Sequence, residues 1–182
     1  MKRILVAPLH WGLGHATRCI PIIKALLQND FEPLIASDGG ALELLKKEFP
    51  KLKAFELPSY NITYPKKGNS FKWEFLKSLP RILKTIKLER AIINKLVKAE
   101  HIDGIISDNR FGVRHEDIPS VYITHQLNVL SGKTTWFSSK WHQKIVKKFD
   151  ECWVPDFEYE PNLSGKLGHL KQNLGHLKYI GP

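Results

Sequence analysis

Apolar positions in the first sixty residues fall into short unbroken runs, separated by stretches in which they recur at helical spacing. Ile4 to Leu9 is the first run and predicts a buried strand. Ala16 to Gln28 sets Ile20, Ile23 and Leu27 on one helical face, and Pro33 to Ser37 predicts a second strand ending in an Asp38-Gly39-Gly40 turn. Ala41 to Phe49 predicts a helix ended by Pro50, and Lys53 to Leu57 a third strand before Pro58. Strands that are apolar throughout, alternating with helices, predict a parallel sheet covered on both faces.

The pattern loosens after residue 58. Ser59 to Asn69 predicts a loop, and Phe71 to Ala99 a helical stretch interrupted at Pro80, hence two helices or one kinked helix. Gly104 to Ser107 predicts a fourth strand running into Asp108-Asn109-Arg110. Val121 to Thr124 predicts a fifth, running into His125-Gln126, and Cys152 to Pro155 a sixth, running into Asp156. Tyr179 to Pro182 predicts a last strand entering a turn. The expected fold is an α/β, Rossmann-like, doubly wound parallel sheet of about six to seven strands. Polar residues at three strand ends mark the edge where open parallel sheets bind ligands. GHLK occurs at Gly168 to Lys171 and again at Gly175 to Lys178, too short a unit for a structural repeat.

A chain of 182 residues with 42% hydrophobic content supports one sizeable core and one domain, residues 1–182. Cys19 and Cys152 form no CxxC pair and no disulfide framework, which fits a reducing compartment. The N-terminal apolar run, broken by Pro8 and His10, is too short for a signal peptide. No run approaches the roughly 18 to 20 residues that span a bilayer.

The net charge of +10 is regional. Residues 66–98 carry ten basic side chains against Glu74 and Glu89, and residues 133–148 carry five lysines and no acid. Lys72, Trp73, Lys77, Arg81 and Lys84 form a candidate anion or membrane patch, with Phe75, Leu76 and Leu79 as an apolar stripe. Anionic lipid or a phosphorylated acceptor could use this field; a solvated helix face is the alternative. For nucleic acid, charge alone speaks, with no zinc-finger, RNP-like or helix-turn-helix pattern.

Candidate chemistry centres on Gly12-Leu13-Gly14-His15 at a strand-to-helix turn. Backbone N–H groups there are unpartnered and attract anions. Gly12 and Gly14 fit the first two glycines of a dinucleotide fingerprint, but Thr17 stands at the third, against that reading. Asp108 either orients His15 as a general base, if their strand ends adjoin, or caps a turn near Asn109 and Gly112. His125 has a catalytic and a structural reading. The spacing of His10, His15, His125 and His142 matches no zinc motif, so no metal site is expected. LSGKTT at 130–135 lacks the first glycine of a phosphate loop.

VAPLHWGLGHATRCIPIIKAL, SDNRFG, THQLNVLSGKTT and WVPDFEYEPNLSGKLGHLK together resemble the N-terminal half of GT-B glycosyltransferases. Within them the chain is most similar to the MurG-like bacterial group, related to the N-acetylglucosaminyltransferase that completes the peptidoglycan lipid intermediate. Gly12, Gly14 and His15 match that group's glycine-rich turn ending in Gly-His; His125, Gln126 and Asn128 match its His-Glu-Gln-Asn element loosely, Gln126 and Leu127 replacing Glu-Gln.

The resemblance implies an acceptor-side domain with His15 as base and Asp108 as its orienter. Gly12, Gly14, Asn109, Arg110, His125, Gln126 and Asn128 are then the candidate substrate-binding residues. It implies a nucleotide-sugar donor as co-substrate, no cofactor or metal, and a hydroxyl acceptor that in this group is lipid-linked. It implies a cytoplasmic setting with peripheral association at the inner membrane face. YIGP at 179–182 falls where the group's interdomain linker begins, so the donor-binding domain is expected to be absent from these residues and the chain inactive alone. A sugar-nucleotide epimerase of the same fold is the enzymatic alternative, and a basic acceptor-lipid binding module the non-enzymatic one.

Overall fold

The computed structural model describes residues 1–60, 71–128, 135–170 and 175–182, with the side chains of 71–78 and 135–137 outside the description. The chain runs β1 (Lys2–Pro8), α1 (Gly14–Gln28), β2 (Phe31–Ser37), α2 (Gly39–Glu48), β3 (Ala54–Glu56), α3 (Phe71–Glu100), β4 (Gly104–Asp108), β5 (Ser120–Ile123), α4 (Thr135–Val146), β6 (Glu151–Val154) and β7 (Leu177–Tyr179). The strands form a seven-stranded sheet in the order β3-β2-β1-β4-β5-β6-β7, every pairing parallel. The expected doubly wound architecture is the one found.

Alternation along the strands feeds two buried layers. Val6, Ile35, Ile106 and Ile123 pack under α1 and α2 with Cys19, Ile23 and Leu45. Leu5, Leu34 and Ile105 face the other way, against Ile93 of α3. Tyr122 is in register with Ser107, two positions past Ile105, so α4 with Val146 shares the α3 face. Each buried Leu or Ile contributes about 1.5–3 kcal/mol of transfer free energy, which is why nearly unbroken apolar strands end up covered on both sides.

Several boundaries differ from the sequence pattern for local reasons. Pro33 lies inside β2, yet β3 pairs only with Ile35 to Ser37, so the missing N–H of Pro33 falls where no neighbouring strand asks for it. Residues 71–100 form one helix through Pro80 rather than two. Gly14 and His15 belong to the first turn of α1 rather than preceding it, and α2 starts at Gly39, inside the expected turn. The last strand begins at Leu177, two residues before the expected start. Helix α4 had no counterpart in the sequence reading. Residues 61–69 of the expected loop and most of LSGKTT lie outside the described residues, as do the last residue of the first GHLK and the segment up to Leu174.

A buried charge cluster ties the sheet edge together. Arg110, fully buried, donates from Nε to Glu89 Oε1 (2.8 Å), from Nη1 to Asp38 Oδ1 (2.6 Å) and from Nη2 to the Pro58 carbonyl (2.6 Å). The other Glu89 oxygen accepts from the Tyr60 hydroxyl and from the Gly112 N–H. Gly112 has no substitute here, because a Cβ would stand 2.5 Å from the Ile86 carbonyl oxygen and 2.6 Å from Glu89 Oε2. One guanidinium thus joins the ends of β2, β3 and β4 to α3. Burial pushes the Glu89 pKa up, against the opposing pull of Arg110 and the Tyr60 and Gly112 hydrogen bonds.

Removing the cation leaves two carboxylates without compensation in the interior. Arg110→Met is therefore expected to lower unfolding free energy by about 3–5 kcal/mol. Urea denaturation at neutral pH measures it, and a loss under roughly 1 kcal/mol, the worth of an exposed pair, would remove the cluster from the account of stability.

Candidate active site

The segments leaving β1 and β4 pack on opposite faces of the sheet, α1 against one and Val113 against the other, so the C-terminal ends of these two neighbouring strands are a switch point, where open parallel sheets bind ligands. Pro8 is in register with Asp108, and the Leu9 N–H donates to the Asp108 carbonyl at 2.9 Å. The chain leaves β1 through Gly12, whose φ of 76° is a conformation that glycine adopts without strain. It enters α1 at Gly14 with no side-chain cap and no acid in the first turn. Nothing lies within 4 Å of a Cβ built on Gly12 or Gly14, so the turn is open above.

Asp108 is fully buried, and its carboxylate is the hub of the site. His15 Nδ1 lies 2.9 Å from Oδ1. Arg18 grips both oxygens, from Nε to Oδ2 (2.9 Å) and from Nη2 to Oδ1 (2.6 Å). The Asn109 amide donates to Oδ1 at 3.2 Å, and the Cys19 thiol lies 3.9 Å from Oδ2. Burial alone would raise the Asp108 pKa, but the hydrogen bonds from His15 and Arg18, with the Arg18 charge, outweigh it and hold the carboxyl below its usual range. Burial, then the nearby carboxylate, pushes the Cys19 thiol well above its ordinary value. Both cysteines are free and buried.

His15 and Asp108, paired conditionally by the sequence, are thus in hydrogen-bond contact. Arg18 was not anticipated. Its signal was its place three residues after His15, which puts the two side chains on one helix face. Asn109 adopts a left-handed φ of 58°, which its short amide side chain tolerates. Its Oδ1 accepts from the Tyr122 hydroxyl at 3.3 Å, which orients its NH₂ toward Asp108. The buried His142 Nε2 stands 3.5 Å from that hydroxyl, and burial pushes the His142 pKa down to about 4.

The other candidates are placed differently. Arg110 belongs to the buried cluster below the site and has no surface to offer a ligand. Asn128 is a loop clamp: its amide donates to the Lys166 and His169 carbonyls, and its N–H to Leu167. His125 is half-buried at the site, its Nδ1 3.4 Å from Arg18 Nη1, with its pKa lowered by burial and then by the Arg18 charge. Gln126 is exposed beside it, and its N–H donates to Thr124 Oγ1. Arg81 and Lys84 are exposed on α3, while the side chains of Lys72, Trp73 and Lys77 lie outside the description.

Asp156, at the end of β6, holds its own loop. It accepts from the N–H groups of Phe157, Leu163 and Ser164 and from the Ser164 hydroxyl. Burial works to raise its pKa, yet these bonds hold it far below the ordinary carboxylate range. Among the described residues no group of three or more His, Cys, Asp or Glu could hold a metal ion, and no helix is long and apolar enough to cross a membrane.

No protein-family profile and no curated protein sequence matches the chain. Solved structures match it in fold. The glycosyltransferase of kitacinnamycin aligns over 99% of this chain and 51% of its own, with TM-score 0.66 and 12% identity. MurG of Acinetobacter baumannii aligns over 88% and 43%, with TM-score 0.54 and 14% identity. A protein from Listeria monocytogenes named provisionally as a UDP-N-acetylglucosamine 2-epimerase aligns over 97% and 44%, with TM-score 0.58 and 12% identity. At such identity the likeness is one of fold: a Rossmann-like parallel α/β arrangement shared with glycosyltransferases and an epimerase, as the motifs led one to expect. The chain spans about half the length of these structures or less.

Asp108 and Asp156 both bind protons less readily folded than unfolded. The stability they contribute is therefore whole above about pH 4, the unfolded carboxylate value, and lost as pH falls through their folded pKa values. Asp156→Asn is expected to flatten the fall of unfolding free energy below about pH 4. Denaturant titrations along that pH range check it; parallel curves for variant and wild type would contradict the assignment.

Proposed function

We propose that this chain is the acceptor-side domain of a nucleotide-sugar-dependent glycosyltransferase that transfers a hexosyl or N-acetylhexosaminyl group to a hydroxyl acceptor. The observation that carries the reading is His15 held through Nδ1 by a buried, ionised Asp108 at the switch point of the sheet, beside the open Gly12 to Gly14 turn. With its proton on Nδ1, the ring has a lone pair on Nε2. An acceptor hydroxyl gives its proton to that nitrogen while its oxygen attacks the anomeric carbon. The bond from that carbon to the diphosphate breaks, and the nucleoside diphosphate leaves with the electron pair. Asp108 keeps its hydrogen bond from Nδ1 as the imidazolium forms, and the uncapped N–H groups of α1 favour negative charge nearby. Gln126, Asn109 and His125, around the same edge, are the polar groups within reach of an acceptor.

A donor-binding half is required to complete the site. The 182-residue chain by itself is expected to turn over little or no nucleotide-sugar. In an assembly that supplies that half, His15→Ala is expected to lower kcat by about 10²- to 10⁴-fold, with the donor KM nearly unchanged. A variant retaining its kcat, or full-rate transfer by the isolated chain, would overturn the reading. Product analysis with nucleotide-sugar and no acceptor separates the epimerase alternative, which yields the isomerised nucleotide-sugar.

A second observation favours a membrane-facing role for α3. From Arg81 to Lys98 its exposed positions are Arg81, Leu83, Lys84, Lys87, Leu88, Ala91, Asn94, Lys95 and Lys98, without one acid, because Glu89 points inward. Half-exposed leucines among lysines suit the surface of an anionic bilayer, where a lipid-linked acceptor would be met. Lys84→Ala with Lys87→Ala is expected to weaken binding to phosphatidylserine-containing vesicles by about thirtyfold, at about 1 kcal/mol for each lysine. Vesicle sedimentation reads it, and equal binding to neutral vesicles would exclude the electrostatic mode.

A further inference from the structure

Three atoms form a tight triangle in the site. His15 Nδ1 is 2.9 Å from Asp108 Oδ1 and 2.9 Å from Arg18 Nη2, and those two are 2.6 Å from each other. For one protonation state Nδ1 either donates to the carboxylate or accepts from the guanidinium, never both. A bare Nδ1 would set its lone pair against a carboxylate oxygen at hydrogen-bond range. A protonated Nδ1 makes a charge-assisted bond instead, and Arg18 still keeps its two bonds to Asp108.

The charges around the ring decide what that arrangement does. A lone buried carboxylate would draw a second proton onto His15, because an imidazolium partner relieves its burial, and the base would be lost. Among the described residues the groups in contact with the ring or its carboxylate are Arg18 of α1, Asp108 of β4, Asn109, whose Nδ2 lies 3.5 Å from Nδ1, Cys19, which touches Asp108, and His125 after β5. Asn109 carries no charge, burial keeps Cys19 a thiol, and burial with Arg18 disfavours the charged form of His125. Among the described residues, Arg18 alone sets a positive charge against Asp108.

We propose that Arg18 is a positioning residue that cancels the Asp108 charge toward His15, so that the imidazole stays neutral, with its proton on Nδ1 and its Nε2 lone pair open to the acceptor. The proposal rests on His15 being the base of the transfer proposed above. Its readout is the state of the ring, so failed transfer leaves it measurable, and an absent Arg18 effect leaves the transfer reading standing.

The test uses the 182-residue chain labelled with ¹⁵N in its histidine rings, with His15→Gln assigning the signals. At about pH 7 the His15 ring of the wild type should show a protonated Nδ1 and a bare Nε2. Arg18→Met should raise the imidazolium-to-imidazole ratio of His15 by roughly tenfold or more, since a unit charge within hydrogen-bonding distance of a mostly buried ring is removed. Arg18→Lys, which keeps the charge, should stay within about threefold of wild type, a small change on the scale of a full charge. If Arg18→Met does not fold, Asp108→Asn carries the test: with Arg18 now unopposed, the ratio should fall by roughly tenfold. A bare Nδ1 in the wild type overturns the proposal. So does a ratio that moves less than about twofold in Arg18→Met, or in Asp108→Asn where the former does not fold.

Discussion

An ionised carboxylate with no exposed surface needs compensation at close range, and the Asp108 side chain meets that need from three directions. Arg18 supplies the countercharge, His15 and Asn109 supply further hydrogen bonds, and Cys19 closes the apolar side. These groups come from two elements that meet only because β1 and β4 pair in parallel with Pro8 opposite Asp108. Without that pairing the histidine at the head of α1 would be an ordinary exposed imidazole.

The β4 exit carries two opposed charges around a single left-handed residue. Asp108 turns toward α1, and Arg110, two residues later, turns into the cluster with Glu89, Asp38 and Tyr60. Asn109 between them takes the positive φ that separates these directions, and Tyr122 holds its amide. The site therefore stands on a base anchored to β2, β3 and α3, while the Gly12 turn above it stays open. Rigid support under an open mouth is what a positioned general base needs, because small displacements of a catalytic group are costly in rate.

Much of the fold was legible in the residues. Short apolar runs alternating with helical periodicity specify buried parallel strands wherever they occur, and all seven strands were found within a few residues of their pattern. Pro33 delayed the expected start of the second strand only locally, and of the two forms expected around Pro80 a single helix is found, since an unpaired strand flank and a long helix tolerate these prolines. Helix α4 was missed because its lysines and polar residues mask a weak stripe, Trp141 and Ile145 to Val146. Half of the site was legible as well: His15 and Asp108 stood out as titratable groups at strand and helix ends. Asn128 and Arg110 carried the same polar signature, yet one clamps a loop and the other neutralises buried acids. Polar type alone does not distinguish a ligand-facing group from a buried partner.

The sequence by itself determined the layer architecture, the position of the glycine turn, and the chemical types available at the sheet edge, because these depend on local pattern and strand order. Only the tertiary structure decided which charges meet. Arg18 lies ninety residues from Asp108 and Glu89 twenty-one from Arg110, and such pairings follow from strand register and helix placement rather than from any short-range rule. That is why His15 could be named from its motif, while the residue that balances its partner's charge could be found only once β1 and β4 lay side by side.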